Sequence, residues 1–149
     1  MNLSKHVTLD EFERSDAAIR YGIPNKMNEF ETQRAKLLCE KAFEPIREYV
    51  GHPIKINSGF RSVAVNKRIG GASSSQHCLG EAVDLDLTDR TLFEWILDNI
   101  EYDQAIYEGG NDVAADWFHI SYREGRNRKQ ALRMIKKGGK STYVPYKRK

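Results

Sequence analysis

Residues 74–87 read SSQHCLGEAVDLDL. One histidine, His77, sits in a polar loop marked by Gly80, and the first of two aspartates follows seven residues later. Within EAVDLDL, residues 81–87, Ala82, Asp84 and Asp86 fall on one face of a strand, and Val83, Leu85 and Leu87 fall on the other. The second face suits a core. The first carries a mid-strand carboxylate, Asp84, which would be costly to bury unpaired. Either a metal ion neutralises it, or the stretch is an ordinary turn followed by an edge strand.

A second stretch bears on that choice. In WFHISY, residues 117–122, His119 shares a strand face with Trp117 and Ser121. His77, Asp84 and His119 together offer two imidazoles and one carboxylate and leave a fourth position open for water, the ligand count of a catalytic zinc site. A closed structural zinc site rich in cysteine is excluded, because the chain has only Cys39 and Cys78. Cys39 falls in a helical pattern and reads as a core residue, and Cys78 as a thiol beside the site. Asp116 lies three residues before His119, where a loop enters the strand. A carboxylate there can take a proton from water and hand it to a leaving amine without being a ligand. Taken singly, the spacing from His77 to Asp84 also fits a histidine satisfied within a core.

Bulk properties set the frame. The chain has 149 residues, 40% hydrophobic and 30% charged, as expected of one globular domain. No apolar run approaches the ~20 residues needed to cross a bilayer. The opening MNLSKHVTLDEFERSD lacks the apolar centre of a secretory signal, so synthesis in the bacterial cytoplasm without a signal peptide is expected. The net charge of +3 hides an asymmetry: from Arg123 onward there are eleven Lys or Arg and one acid, Glu124. Residues 1–122 are read as the folded domain and residues 123–149 as a basic C-terminal tail, partly ordered against it. Such a tail attracts polyanions, including anionic wall polymers. Its aromatic residues are too sparse for a nucleic-acid site.

Local patterns supply the elements. Thr8 and Glu11 form a capping box for a short helix that should stop near Ser15, before a loop at Gly22 and Pro24. Apolar residues recur at helical spacing from Asn28 to Val50, with Pro45 inside, which predicts one kinked helix or two abutting ones. PIKINSGFRS, EAVDLDL, YDQAIYE and WFHISYR read as strands. SVAVNKR and DRTLFEWILDNI read as helices. The expected class is α+β, a small antiparallel sheet with helices packed on one side.

The chain resembles the zinc D-Ala-D-Ala carboxypeptidases, in their small carboxypeptidase branch, and the related phage peptidoglycan endopeptidases. These are LAS-type metallopeptidases, a group that also holds lysostaphin and the hedgehog signalling domain. The resemblance runs from HVTLDEFERSDAAIRYGIPN through EPIREYVGHPIKINSGFRS and IGGASSSQHCLGEAVDLDL to DWFHISY, ending near Tyr122. It implies a hedgehog/D-Ala-D-Ala peptidase-like fold and one zinc ion bound by His77, Asp84 and His119. It also implies Asp116 as the catalytic acid/base, where many relatives carry glutamate, and Arg61 of SGFRS as the group that steadies the substrate carbonyl and its developing oxyanion. Ser75 matches a serine near the substrate. Asp86 is read as orienting a ligand histidine rather than as a fourth ligand.

The expectation is therefore a zinc metallopeptidase that cuts an amide bond in the stem peptide of bacterial peptidoglycan, as a D,D-carboxypeptidase or an endolysin-type endopeptidase. The protein is expected to be a monomer acting on stem peptides or muropeptides, released to the wall on phage lysis. The alternative is a non-catalytic zinc-containing module that binds cell wall or protein, as in the hedgehog branch. Asp116 and Arg61 together favour the enzyme, because a pure binding module needs neither a proton carrier nor an oxyanion partner.

Overall fold

A computed structural model describes residues 1–149. Its N-terminus pairs with itself: β1 (Asn2–Ser4) and β2 (Val7–Thr8) form an antiparallel ribbon that the residue pattern did not announce. Thr8 then caps α1 (Leu9–Glu13). Glu11 N–H donates to Thr8 Oγ1 at 3.1 Å, and Thr8 N–H donates to the Glu11 carboxylate at 2.8 Å. The helix ends where expected, but Ser15 caps a further helix, α2 (Asp16–Tyr21), before Gly22. A serine at such a point serves equally as the end of one helix and the start of the next.

From Asn28 the chain runs as α3 (Glu29–Leu38), a π turn (Cys39–Phe43) and α4 (Glu44–Val50). The π turn is the structural answer to Pro45. Proline cannot donate, and its ring crowds the carbonyl four residues back. A wider turn, with Glu44 N–H reaching back to Cys39 O, absorbs that conflict without breaking the helix.

The remaining elements are β3 (Ile56–Ser58), α5 (Val63–Arg68), a 3-10 turn (Gln76–Leu79), β4 (Ala82–Leu85), α6 (Arg90–Asn99), β5 (Gln104–Glu108), β6 (Trp117–Ser121), β7 (Gln130–Lys137) and β8 (Lys140–Pro145). Six strands form one sheet in the order β3-β4-β6-β5-β7-β8. The expected small antiparallel sheet is corrected in two ways. The sheet is larger, and it is mixed, because β5 and β7 run parallel. The cause lies in the segment read as a basic tail, which supplies β7 and β8. The chain leaves β6 beside the start of β5, and a short connection then lays β7 alongside β5 in the same direction. Only Met134 is buried in β7, so this hairpin lacks the dense apolar alternation that betrays a strand.

One sheet face builds the core. Val83, Leu85, Ala105, Tyr107, Phe118 and Ile120 are buried there with Leu38, Ile46 and Phe93 of the helices. The Phe93 ring meets Phe118 edge-on at 5.1 Å. Because side chains alternate along a strand, the other face is fixed by the same register and carries Asp84, His119, Ile106 and Glu108.

Candidate active site

Asp84 and His119 meet because β4 and β6 pair them directly across the antiparallel ladder. His119 Nδ1 lies 3.0 Å from Asp84 Oδ1. His77 comes from the 3-10 turn just before β4, a turn that Ser75 caps by accepting the His77 N–H at 3.2 Å. Its ring is buried, with Nε2 3.4 Å from Asp84 Oδ2. The other ring nitrogen, Nδ1, is 2.7 Å from the carbonyl of Gly59. A carbonyl can only accept, so Nδ1 carries the proton and Nε2 keeps its lone pair for a ligand.

Gly59 is required at that position. A methyl group on its Cα would overlap the carbonyl of Phe12, while Phe60 N–H donates to that same carbonyl at 2.8 Å. Asp86 does not share in orienting either histidine: it lies exposed beyond the end of β4. The expected orienting aspartate is replaced by a backbone carbonyl.

The three donor atoms of His77, Asp84 and His119 all lie within 4.8 Å of one another. Burial acts to raise the Asp84 carboxyl, but its hydrogen bonds with His119 and His77 outweigh this and hold it well below the usual carboxylate range. Two imidazoles flanking an ionised carboxylate fit a zinc ion. Cys78 is only partly buried and does not join the cluster.

Arg61 follows β3 and is tied to the histidine turn. Its N–H donates to His77 O at 3.1 Å, and its guanidinium reaches Ser75 Oγ at 3.4 Å. Asn25 clamps the backbone on both sides of it. The Asn25 amide donates to Phe60 O at 3.0 Å and to Glu13 O at 2.6 Å, and its oxygen accepts from Ser62 N–H at 2.7 Å. Arg61 Nε is buried without a partner, which leaves that donor unmatched beside the groove.

These residues line a groove of about 570 Å³ that also takes in Gln104, Glu108, Trp117, Arg128 and Tyr143. The strand order puts Arg61 and Ser75 on the β3 side of the His119–Asp84 pair and Glu108 on the β5 side. Asp116 is exposed just before β6, with its carboxylate against Gly109, and it is not among the residues that line the groove.

Glu108, Tyr143 and Arg128 were not singled out from the sequence. Glu108 shares a strand face with Ile106 and Gln104 in YDQAIYE, but nothing local says which face of that strand meets the histidines. It is only 6% exposed, and burial, helped by Asp84 and opposed by His119, pushes its carboxyl up to about 7. Arg128 is held by the fully buried Asp103, Nε at 2.9 Å from Oδ1 and a terminal nitrogen at 2.8 Å from Oδ2.

Comparison with known proteins gives two matches. Over a short stretch of 33 residues the chain is 58% identical to the zinc D-Ala-D-Ala carboxypeptidase of Streptomyces albus G. That stretch is 22% of this chain and spans 13% of the relative's length. No helix is long and apolar enough to cross a membrane. The sequence model of the family described as peptidase M15 matches residues 5–121, which include the whole His77–Asp84–His119 cluster together with Arg61 and Asp116, and the chain belongs to that family.

Proposed function

We propose that the protein is a zinc-dependent peptidase that hydrolyses an amide bond in the stem peptide of bacterial peptidoglycan, as a D,D-carboxypeptidase or an endopeptidase. The observation that carries this reading is the convergence of two imidazoles and a carboxylate, with their donor atoms within 4.8 Å, on the wall of an open groove beside a clamped arginine. Family membership and the short match to a zinc D-Ala-D-Ala carboxypeptidase support it.

His77, Asp84 and His119 would hold one zinc ion, which supplies a Lewis acid for the scissile carbonyl and makes water a stronger acid. The Gly59 carbonyl keeps the His77 ring in its ligating tautomer. Arg61, fixed by Asn25 and Ser75, faces charge that develops on the carbonyl oxygen, where a preplaced cation stabilises the transition state more than the ground state. Asp116 is assigned the proton: it accepts one from the attacking water and returns it to the leaving nitrogen. It lies outside the groove lining, so its carboxylate must turn from Gly109 toward the groove to do so.

The test is incubation of the purified chain with defined muropeptides, with zinc and with a chelator, followed by mass analysis of the products. Cleavage that stops on chelation and returns with zinc is expected. Asp116→Asn should retain zinc and lose turnover by two or more orders of magnitude, roughly the size of a general acid–base contribution. Full turnover by Asp116→Asn would remove that residue from the mechanism, and chelator-resistant cleavage would remove the metal.

A further inference from the structure

The groove has a corner that the hydrolytic machinery leaves unused. Glu108 and Trp117 are register partners on β5 and β6, Met134 pairs with Glu108 from β7, and Tyr143 pairs with Met134 from β8. All four therefore lie in one row on the site face of the sheet. Glu108, Trp117 and Tyr143 line the groove. Tyr143 belongs to the hairpin that lies outside the family match, which ends at residue 121.

Glu108 is 6% exposed, and its Oε1 has no hydrogen-bond partner. A carboxyl in that state is destabilising unless something completes it, because both its desolvation and its unmade hydrogen bond cost free energy. Nothing in the protein does so. Of the two guanidinium groups in the groove, Arg61 follows β3, on the other side of the β4–β6 pair from Glu108, and Arg128 is occupied by Asp103. Two aromatic side chains, Trp117 and Tyr143, share the corner, and ring faces attract cations.

We infer that this corner is a subsite for a primary ammonium group of the substrate, with Glu108 as its carboxylate partner and Trp117 and Tyr143 as its walls. The groove then recognises a dipolar peptide: Arg61 on one side of the scissile bond and an amine-binding acid on the other. The inference rests on the peptidase reading above and adds the substrate's chemical class. An amine of this kind can come from a diamino-acid side chain in the peptide or from the peptide's own N-terminus.

The experiment uses the zinc-loaded full chain and one lysine-containing stem peptide in three forms: unmodified, acetylated on the side-chain amine, and acetylated on the N-terminal amine. Acetylation of the amine that enters the corner should lower kcat/KM by about tenfold or more, the worth of a buried charge-assisted hydrogen bond. The form that suffers identifies the source. In Glu108→Gln the ratio between that peptide pair should fall to near one while zinc stoichiometry stays unchanged. Tyr143→Leu, a change at a half-exposed edge residue, should reduce the ratio by a smaller factor.

Equal kcat/KM for all three peptides would overturn the subsite. So would a Glu108→Gln variant that slows all three alike, because Glu108 would then act on the reaction and not on the amine. If no peptide is cleaved, the peptidase reading fails instead. Calorimetric binding of the same three peptides then decides the subsite separately: tighter binding of an unacetylated form supports it, and equal binding ends it.

Discussion

Asp84 and His119 are paired across two adjacent strands, and the Nδ1 of the imidazole comes within 3.0 Å of the carboxylate. Sheet register thus sets two of the three candidate ligands, and a short turn brings the third. Such a site holds its geometry through the backbone, so zinc should stabilise the native state by mass action. At free zinc one hundredfold above Kd the gain is about 2.7 kcal/mol, which for a chain of this size is a rise in Tm of roughly 5–10 °C. Stoichiometry should be one ion per chain. His119→Ala should abolish the rise; scanning calorimetry of both proteins with and without zinc gives the answer, and an equal shift in the variant would place the metal elsewhere.

Asn25 should matter to catalysis although it lies outside the groove lining. Two of its three hydrogen bonds hold the backbone before and after Arg61, and the third ties Asn25 to Glu13 O. Asn25→Ala is expected to cost on the order of 1–2 kcal/mol of stability. Loosening the guanidinium should lower kcat by about tenfold, because small misplacements of a positioning group are expensive in the transition state. Zinc content should not change. The decisive measurement is a double-mutant cycle: in an Arg61→Ala background the Asn25 change should have little further effect on kcat. Additive losses would mean that Asn25 acts by some route other than Arg61.

The three candidate metal ligands were legible in the sequence because their signals are local. His77 stands in a loop marked by glycine and serine, and Asp84 and His119 stand in short alternating runs whose period assigns each side chain a face. Arg61 was legible only through family resemblance, since an arginine after a turn carries no signal of its own. Glu108 was not legible, because its meaning depends on β5 lying beside β6 with Glu108 opposite Trp117, a fact of long-range pairing. Asn25 was hidden for the same reason, reaching Phe60 and Ser62 across 35 and 37 residues. Tyr143 was hidden by charge: lysines and arginines crowd a hairpin with one buried residue in β7, and such a segment reads as solvated chain. Lysines on an outer hairpin are also what an exposed sheet edge requires.

Glu108 makes stability depend on pH in a direction opposite to that of a salt-bridged acid. Its carboxyl is raised from an ordinary 4.5 to about 7. Between those values the folded protein holds a proton that the unfolded chain has released, so stability from this group is full below about pH 4.5 and declines as pH rises to about 7. Glu108→Gln removes that dependence. In metal-free protein the variant should match wild type near pH 4.5 and exceed it at pH 8 by on the order of 3 kcal/mol. Urea unfolding of both proteins across this range tests the sign. A variant less stable than wild type at pH 8 would show that the carboxylate is satisfied in the folded state.

The positive charge of the C-terminal segment now has an address. Lys136, Lys137 and Lys140 are exposed around the turn between β7 and β8, at the outer edge of the sheet. If they hold the protein against anionic wall polymers, deleting residues 123–149 is the wrong test, because it removes two strands of the sheet and the Arg128 partner of buried Asp103. Reversing the three lysines to glutamate leaves the strands in place. This variant should keep its zinc and its turnover of small muropeptides. Its binding to isolated walls at low ionic strength should fall by about tenfold or more, and the difference from wild type should shrink as salt screens the charges. Co-sedimentation with walls over a salt series measures both effects. Unchanged binding at low salt would leave the basic hairpin a structural edge with no part in holding the substrate.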